Sequence, residues 1–407
     1  MATAQTLAIV KATVPILEEH GNTVTTVFYN NMFAEHPELL DIFNATNQKL
    51  GRQQTALATT VLAAAKHLEH LAVLLPQVTQ ISHKHRALQI LPEHYPIVGQ
   101  HLIGAIKEVL GEAANDDIIN AWTEAYDEIA SIFIQIEHGM YEKAMWDGFA
   151  EFTVTEKVAT ATDIAAFTVM PVNNGSIDNQ SAIHQPAIDL NKLTLSAGQY
   201  ITVKVEPEDS AHVALRHYSL YSANTDTGIQ FAVRRDNRNA QQGLVSNYLH
   251  DHMQVGDVLS LSAPAGDFAL DKAQITQNEM PLVLISAGVG VTPVLSMLEE
   301  QVTNNPQRPI IWVYACQNEQ HHAFSVEVTA LLDRAEHVEK HIFYFDAGQI
   351  LDQAWLASLP KPADIYVCGS MPFMECIIDG LTALEHNSNH VHYETFGPRM
   401  SLDIKVS

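Results

Sequence analysis

Apolar residues recur at intervals of three and four through the first third of the chain, the spacing of one helical face. Ala121, Trp122, Ala125, Ile129, Ile132, Phe133 and Ile136 show it plainly. The pattern predicts a first helix followed by Gly21 and a second that closes at Pro37, inside the Glu35–Leu39 turn. A long third helix is expected from about Arg52 to Leu75, broken by Pro76, and a shorter one from Val78 to Ile90, stopped by Pro92. Two more follow at about His94–Leu110 and Asp116–Lys143, separated by Gly111.

After Trp146-Asp147-Gly148 the texture becomes β-like. Short runs at Phe152–Val158, Ala166–Val172, Tyr200–Val205, His217–Ser222, Gln230–Arg234 and Val258–Ser262 are separated by Gly, Asn, Asp and Pro, which suggests a barrel or sandwich. Residues 173–180 are polar and turn-rich and read as an exposed loop. From about Met280 apolar strands (Pro281–Ser286, Ile310–Ala315, His341–Phe345, Asp364–Cys368) alternate with helical stretches, the signature of a parallel sheet with crossover helices. Three domains are therefore expected: all-α over residues 1–146, an antiparallel β-barrel over 147–272, and an α/β parallel-sheet domain over 273–407.

The length of 407 residues agrees with this, since roughly 150 residues per domain gives about three. Basic residues number 22 and acidic ones 47, a formal charge of −25. Such a chain is repelled by phosphate backbones and anionic lipid, so neither nucleic acid nor a membrane surface is an expected partner. The three cysteines, Cys316, Cys368 and Cys376, fit a reducing, cytoplasmic compartment better than a secreted disulfide framework. There is no CxxCH for covalent haem attachment. The start, MATAQTLAIVKATV, has no basic stretch before its apolar residues, so no signal peptide is expected. The most apolar stretch, Ala56–Leu75, is interrupted by Lys66, His67, Glu69 and His70 and is too polar to span a bilayer.

Five polar residues stand on otherwise apolar helices: Tyr29, Gln53, His85, Tyr95 and Glu137. Singly, each has an ordinary explanation as a surface or half-buried side chain. Together they suit a haem pocket. Haem iron needs a neutral imidazole, an acceptor behind the ring orients that imidazole, and a hydroxyl and an amide opposite can bond dioxygen. His67 with His70, His83, and the group His386, His390 and His392 lack a closed set of ligands and read as solvated.

Residues 1–146 resemble the globin domain of bacterial flavohaemoglobins. The resemblance rests on Val27-Phe28-Tyr29-Asn30-Asn31-Met32-Phe33, His36-Pro37-Glu38-Leu39, Asp41-Ile42-Phe43-Asn44, Lys84-His85-Arg86 and Tyr95-Pro96-Ile97-Val98-Gly99. It implies that His85 is the proximal iron ligand and that Tyr95 and Glu137 form a hydrogen-bonded relay behind it. It also implies that Tyr29 and Gln53 form the distal pair and that Lys84 influences redox coupling.

In the barrel, Arg216-His217-Tyr218-Ser219-Leu220 offers what a flavin needs: a cation for its diphosphate, an aromatic face, and a hydroxyl toward its ring nitrogens. Strand alternation puts Arg216 and Tyr218 on one face. Ser196-Ala197-Gly198-Gln199-Tyr200 precedes it, and Gly243-Leu244-Val245-Ser246 turns into a helix whose first N–H groups can hold a diphosphate. The ordered set resembles the FAD-binding barrel of the ferredoxin–NADP reductase superfamily. Gly288-Val289-Gly290-Val291-Thr292-Pro293 then follows a buried strand and opens a helix, with Pro293 where the dinucleotide fingerprint has its third glycine. Cys368-Gly369 ends a later strand, at the edge where such sheets bind ligand. The segment Tyr393-Glu394-Thr395-Phe396-Gly397-Pro398 resembles the family's terminal segment, which implies that Phe396 lies near the flavin and that Glu394 tunes flavin and haem.

The resemblance covers nearly the whole chain and implies a nitric oxide dioxygenase. Electrons from NADH or NADPH would pass through FAD to haem b, whose bound dioxygen oxidises nitric oxide to nitrate. A monomer is expected. Two alternatives stay open: an oxygen or nitric oxide sensor or carrier whose reductase keeps the haem ferrous, and a haem/flavin reductase acting on alkyl hydroperoxides.

Overall fold

The computed structural model describes residues 2–43, 52–172, 188–207, 211–237, 243–271, 275 and 280–395, with side chains omitted at 52–56. Two compact units result, one built on Met1–Ala144 with Glu206–Leu215, which takes in the first two residues, Ala214 and Leu215, of a strand otherwise in the second unit, and the other on Met145–Val205 with Arg216–Phe396.

The first unit is helical. It contains α1 (Ala4–Glu35), α2 (Arg52–Lys66), α3 (Leu75–Ala87), α4 (His94–Leu110) and α5 (Asp116–Glu142). Val10, Val14, Leu17, Val24, Phe28 and Met32 form the buried stripe of α1 and pack on Leu102, Ala105 and Ile106 of α4 and on Trp122 and Ala125 of α5. Thr3 caps α1 through the N–H of Thr6, and Asn115 caps α5 through that of Ile118, so each helix starts on a satisfied donor.

Two expected breaks are overturned. Gly21 does not end a helix, because α1 runs unbroken for 32 residues. A Cβ at Gly21 would lie 3.6 Å from that of Ala58, so the glycine sits where α1 meets α2, not at a terminus. Pro76 does not break a helix either. It stands in the first turn of α3, where its missing N–H has no partner to lose. The break lies upstream, where a 3₁₀ stretch Leu68–Leu74 follows α2 and His70 leaves helical geometry at φ −141°.

The second unit carries two sheets. The antiparallel one contains β1 (Phe149–Ala161), β2 (Ile164–Pro171), β3 (Tyr200–Val205), β4 (Ala214–Ser219), β5 (Ile229–Arg234) and β6 (Val258–Ser262), in the order β4-β3-β6-β1-β2-β5. A bridge from Leu220 to Phe231 joins the two edges, which curls the sheet toward a barrel. β4 begins three residues earlier than the expected His217–Ser222 run and ends at Ser219. The short helix α6 (Leu244–Asp251) lies between β5 and β6.

The second sheet is parallel throughout. Its strands are β7 (Leu282–Ala287), β8 (Ile310–Cys316), β9 (Val338–Tyr344), β10 (Asp364–Gly369) and β11 (Val391–Thr395), in the order β11-β10-β7-β8-β9. Successive side chains point to opposite faces. Leu282, Leu284, Trp312 and Tyr366 therefore bury one face against α7 (Val291–Asn304) and α8 (Ser325–Leu332). Val283, Ile285, Val313 and Val367 bury the other against α9 (Gln353–Leu356) and α10 (Met371–Ala383). At the strand starts Arg308 donates to Asp364 Oδ2 at 3.0 Å, and both side chains are almost fully buried. Burial alone would raise the Asp364 pKa, but hydrogen bonds from His392 and Arg308 outweigh it and hold the carboxyl below its usual range. Among the described residues no helix is long and apolar enough to cross a membrane.

Candidate functional site

In the helical unit the sharpest constellation centres on His85. It stands near the end of α3, and its Nδ1 lies 2.8 Å from Glu137 Oε1 on α5 and 3.2 Å from the Tyr95 hydroxyl at the start of α4. Tyr95 donates to the same carboxylate oxygen at 2.8 Å. Glu137 is 3% exposed, so its charge is held by these two partners and not by water. Burial first, and the Glu137 charge next, push the Tyr95 phenol well above its ordinary pKa, which keeps it a donor. Tyr95 is itself positioned. Tyr126 donates to the Tyr95 carbonyl at 2.6 Å, and its ring lies where a Cβ on Gly99 would come within 2.8 Å of Cδ1.

An acceptor behind Nδ1 orients the ring and leaves Nε2 as the nitrogen for a metal. Near it, across Phe133, is a mostly apolar cleft whose walls include Ala63, Ala64, Leu74, Val78, Ile81 and Phe133, with Thr60 and Gln77 as its polar members. The Phe133 ring lies 5.6 Å from that of His85. One available imidazole nitrogen, a carboxylate behind it and apolar walls fit a haem.

Tyr29 packs elsewhere in the unit, among Phe28, Phe33 and Phe43 with ring centroids 4.7–5.8 Å away. Burial raises its phenol pKa and keeps the hydroxyl protonated. Lys84 is half-buried beside His85. Gln53 lies on α2, but its side chain is outside the described residues, as are Phe396, Gly397, Pro398 and the polar stretch 173–180.

In the second unit, Arg216, Tyr218, Gly243 and Ser246 gather around Asp236. The Gly243 N–H donates to the Asp236 carbonyl at 2.9 Å, and the Asp236 N–H donates to Ser246 Oγ at 3.2 Å. Burial pushes the Arg216 guanidinium below its ordinary pKa, while Tyr218 and Asp236 oppose that shift. A part-buried cation beside the start of a helix suits a diphosphate. His217 turns the other way, 2.9 Å from Thr202 Oγ1 and with its ring 4.8 Å from that of Tyr200. Ser219 ends β4 and is buried.

The glycine turn joins β7 to α7. Gly288 takes φ +54°, which favours glycine, and among the described residues Arg234 Nη1 alone comes within 4 Å of the place a Cβ would occupy. Its carbonyl accepts from the Tyr314 hydroxyl at 3.2 Å, and Thr292 Oγ1 donates to the Val289 carbonyl at 3.0 Å. Val291, Thr292 and Pro293 form the buried first turn of α7. Gly290 packs on the end of β10. A Cβ there would lie 2.6 Å from the Cys368 carbonyl carbon and 2.7 Å from the Gly369 nitrogen. Next to these, Cys368 pairs with Glu394 and Gly369 with Thr395 across the sheet. The glycine turn and the two strand ends lie together at one edge of the sheet, which suits a dinucleotide. Gly290→Ala is expected to cost roughly 1–3 kcal/mol, because the atoms in the way are backbone. A lowered midpoint in calorimetry of the holoprotein checks this, and an unchanged midpoint would show that the strand end yields.

The sequence reading did not single out Asp236, Thr202 or Tyr126, which hold site residues from behind. Only the run Arg234-Arg235-Asp236, charged directly after an apolar strand, carried a visible signal.

Family models agree with this division. A globin model matches residues 26–133, an oxidoreductase FAD-binding domain model residues 177–270, and an oxidoreductase NAD-binding domain model residues 284–379. A flavohemoprotein of Oceanobacillus iheyensis is 42% identical, covering 97% of this chain and 96% of its own. One from Bacillus subtilis is 41% identical, covering 98% of each chain. The crystal structure of a Malassezia yamatoensis flavohemoglobin with bound FAD and haem has the same fold, with a TM-score of 0.85 at 24% identity over 97% of this chain and 99% of that one. The flavohem-like FAD/NAD-binding domain of a Vibrio cholerae nitric oxide dioxygenase is 32% identical, with a TM-score of 0.51, over 61% of this chain and 99% of that one. The chain belongs to the flavohemoprotein family and is an oxidoreductase in which a globin part, an FAD-binding part and an NAD-binding part follow in that order.

Proposed function

We propose that this oxidoreductase is a nitric oxide dioxygenase that uses NADH or NADPH, FAD and haem b to convert nitric oxide and dioxygen to nitrate. The reaction balances with one hydride for two turnovers. Two nitric oxide and two dioxygen molecules take up the two electrons of one NAD(P)H and leave as two nitrates, with release of one proton. The observation that carries this reading is the buried Glu137, which takes hydrogen bonds from both His85 and Tyr95. The likeness to the Vibrio cholerae nitric oxide dioxygenase domain supports it.

When bound, haem supplies oxygen binding and one-electron chemistry, FAD converts a hydride into single electrons, and the nicotinamide supplies that hydride. We assign the haem to residues 1–146, FAD to 147–272 and NAD(P)H to 273–407. His85 holds the iron through Nε2, since Nδ1 is committed to Glu137. Glu137 and Tyr95 make the imidazole a stronger donor, which favours O–O activation over simple carriage. Tyr29 would donate a hydrogen bond to bound dioxygen, and Lys84 adjusts the coupling to the reductase. Tyr200, Arg216, His217, Tyr218, Ser219, Gly243 and Ser246 hold FAD. The turn from Gly288 to Pro293, with Cys368 and Gly369, holds the nicotinamide dinucleotide. Glu394 and Thr395, at the end of β11, border the flavin. Three unpaired cysteines, two of them buried, support a reducing cytoplasmic setting, and we assign a monomer.

The test follows nitric oxide with an electrode in the presence of the holoprotein, NADH and oxygen. Nitrate should accumulate with half as much NADH consumed. Oxygen binding without nitrate formation would make the protein a carrier, and NADH oxidation driven by hydroperoxides alone would make it a reductase of another class. Tyr29→Phe keeps the ring and removes the donor. It is expected to speed dioxygen release about tenfold, the worth of one hydrogen bond of about 1.4 kcal/mol. Stopped-flow release should show this while the rate of flavin reduction by NADH stays the same.

A further inference from the structure

Among the described residues, one group of ligating side chains converges outside the sites above: Glu35, His36 and His101, whose ligand atoms lie within 4.8 Å of one another. Glu35 is the last residue of α1. His36 caps that helix, its N–H donating to the Met32 carbonyl at 2.7 Å while its backbone leaves helical geometry at φ −127°, ψ 67°. His101 projects from α4 and meets His36 edge-on, with ring centroids 5.5 Å apart.

His101 supplies the independent sign of a ligand. It is 6% exposed, and its buried Nε2 has no hydrogen-bond partner among the described residues. Glu35 Oε2 is 3.7 Å from that nitrogen, beyond hydrogen-bond range yet turned toward it. A buried ring nitrogen with no partner is costly, and an ion between it and the carboxylate would remove the cost. His36 Nδ1 is 3.0 Å from Glu38 Oε1, which leaves Nε2 for a metal and provides the outer carboxylate that metal-bound histidines usually have. The negative end of the 32-residue helix α1 lies at Glu35 and adds attraction for a cation.

We propose that Glu35, His36 and His101 form a zinc site, with water as the fourth ligand. Two imidazole nitrogens and one carboxylate are a zinc donor set, whereas magnesium and calcium ask for more oxygens. Ligands around tetrahedral zinc stand about 3.3 Å apart, from bonds of about 2.0 Å. The Glu35 side chain is 65% exposed, so it can move and shorten its 3.7 Å separation from His101 Nε2. Zinc would pin the end of α1 to α4, six residues beyond Tyr29.

The experiment equilibrates the full-length holoprotein with buffered zinc and counts bound zinc by elemental analysis, alongside Glu35→Gln, His36→Gln and His101→Gln. Zinc on surface histidines elsewhere is common to all four proteins and cancels. Each variant is expected to bind one zinc fewer than the wild type and to lose the zinc-dependent rise in Tm. His101 is buried, so His101→Gln can destabilise on its own account. Glu35→Gln and His36→Gln change exposed or half-exposed side chains, and either decides the matter. Zinc content equal to wild type in those two variants, or no zinc on the wild type, would overturn the site.

Discussion

His85→Ala is expected to produce a protein that purifies with flavin and without haem. The substitution removes the nitrogen assigned to the iron and leaves Glu137, 3% exposed, with Tyr95 as its remaining partner of the two. A buried carboxylate that loses a donor costs on the order of 1–3 kcal/mol, so the helical unit should also melt earlier. The antiparallel and parallel sheets belong to the other compact unit, and NADH-driven reduction of ferricyanide should continue at the wild-type rate. Absorption spectra of the purified variant decide it: a lost Soret band with the flavin bands kept is the expected result. Millimolar imidazole should restore haem binding, because the vacated side-chain volume matches the added ring. Unchanged haem content would remove His85 from the iron. Loss of both cofactors would mean that the variant misfolds, and rescue by imidazole separates these cases.

Fold class was legible because each of its signals is local. The switch from intervals of three and four to short alternating runs after Gly148, and then to apolar strands split by helices after Met280, needs only neighbours along the chain. The misread breaks at Gly21 and Pro76 have a common cause. Both residues weaken a helix by themselves, but α1 buries a continuous stripe through Gly21, and Pro76 happens to fall in a first turn. Tertiary packing overrode propensity at the one, and position within the helix decided the other.

The site was legible in a different way. Nothing in composition or spacing brings Tyr95 and Glu137, 42 residues apart, to one imidazole; the family resemblance did. The residues that hold the site from behind had no such help. Asp236 beside Gly243 and Tyr126 on Gly99 act through backbone groups and through the absence of a Cβ, and such contacts leave no motif. The cluster of Glu35, His36 and His101 joins residues from two helices and was equally invisible, because His36 reads as part of a turn and His101 as one histidine among 21.

Glu137→Gln should separate a charge effect from a packing effect. The amide has nearly the carboxylate's shape, so its oxygen can still accept from His85 Nδ1 or from Tyr95, both now at 2.8 Å from one carboxylate oxygen. What disappears is a negative charge in a site that water does not screen. A charge behind the imidazole stabilises ferric iron more than ferrous, since the ferric ion carries the greater positive charge. Its removal should therefore raise the haem reduction potential and make His85 a weaker donor. Nitric oxide removal should fall about 10–100-fold, the usual toll for losing an outer partner of a metal-bound histidine. Tyr95→Phe keeps the charge and the His85–Glu137 bond, so its effect should be smaller and its potential nearer the wild type. Flavin reduction by NADH should be unchanged in both variants. Spectroelectrochemical titration of wild type and the two variants gives the answer. A raised potential in Glu137→Gln alone marks the carboxylate as an electronic partner of His85. Equal potentials, with activity lost in proportion to haem content, would leave it a packing residue.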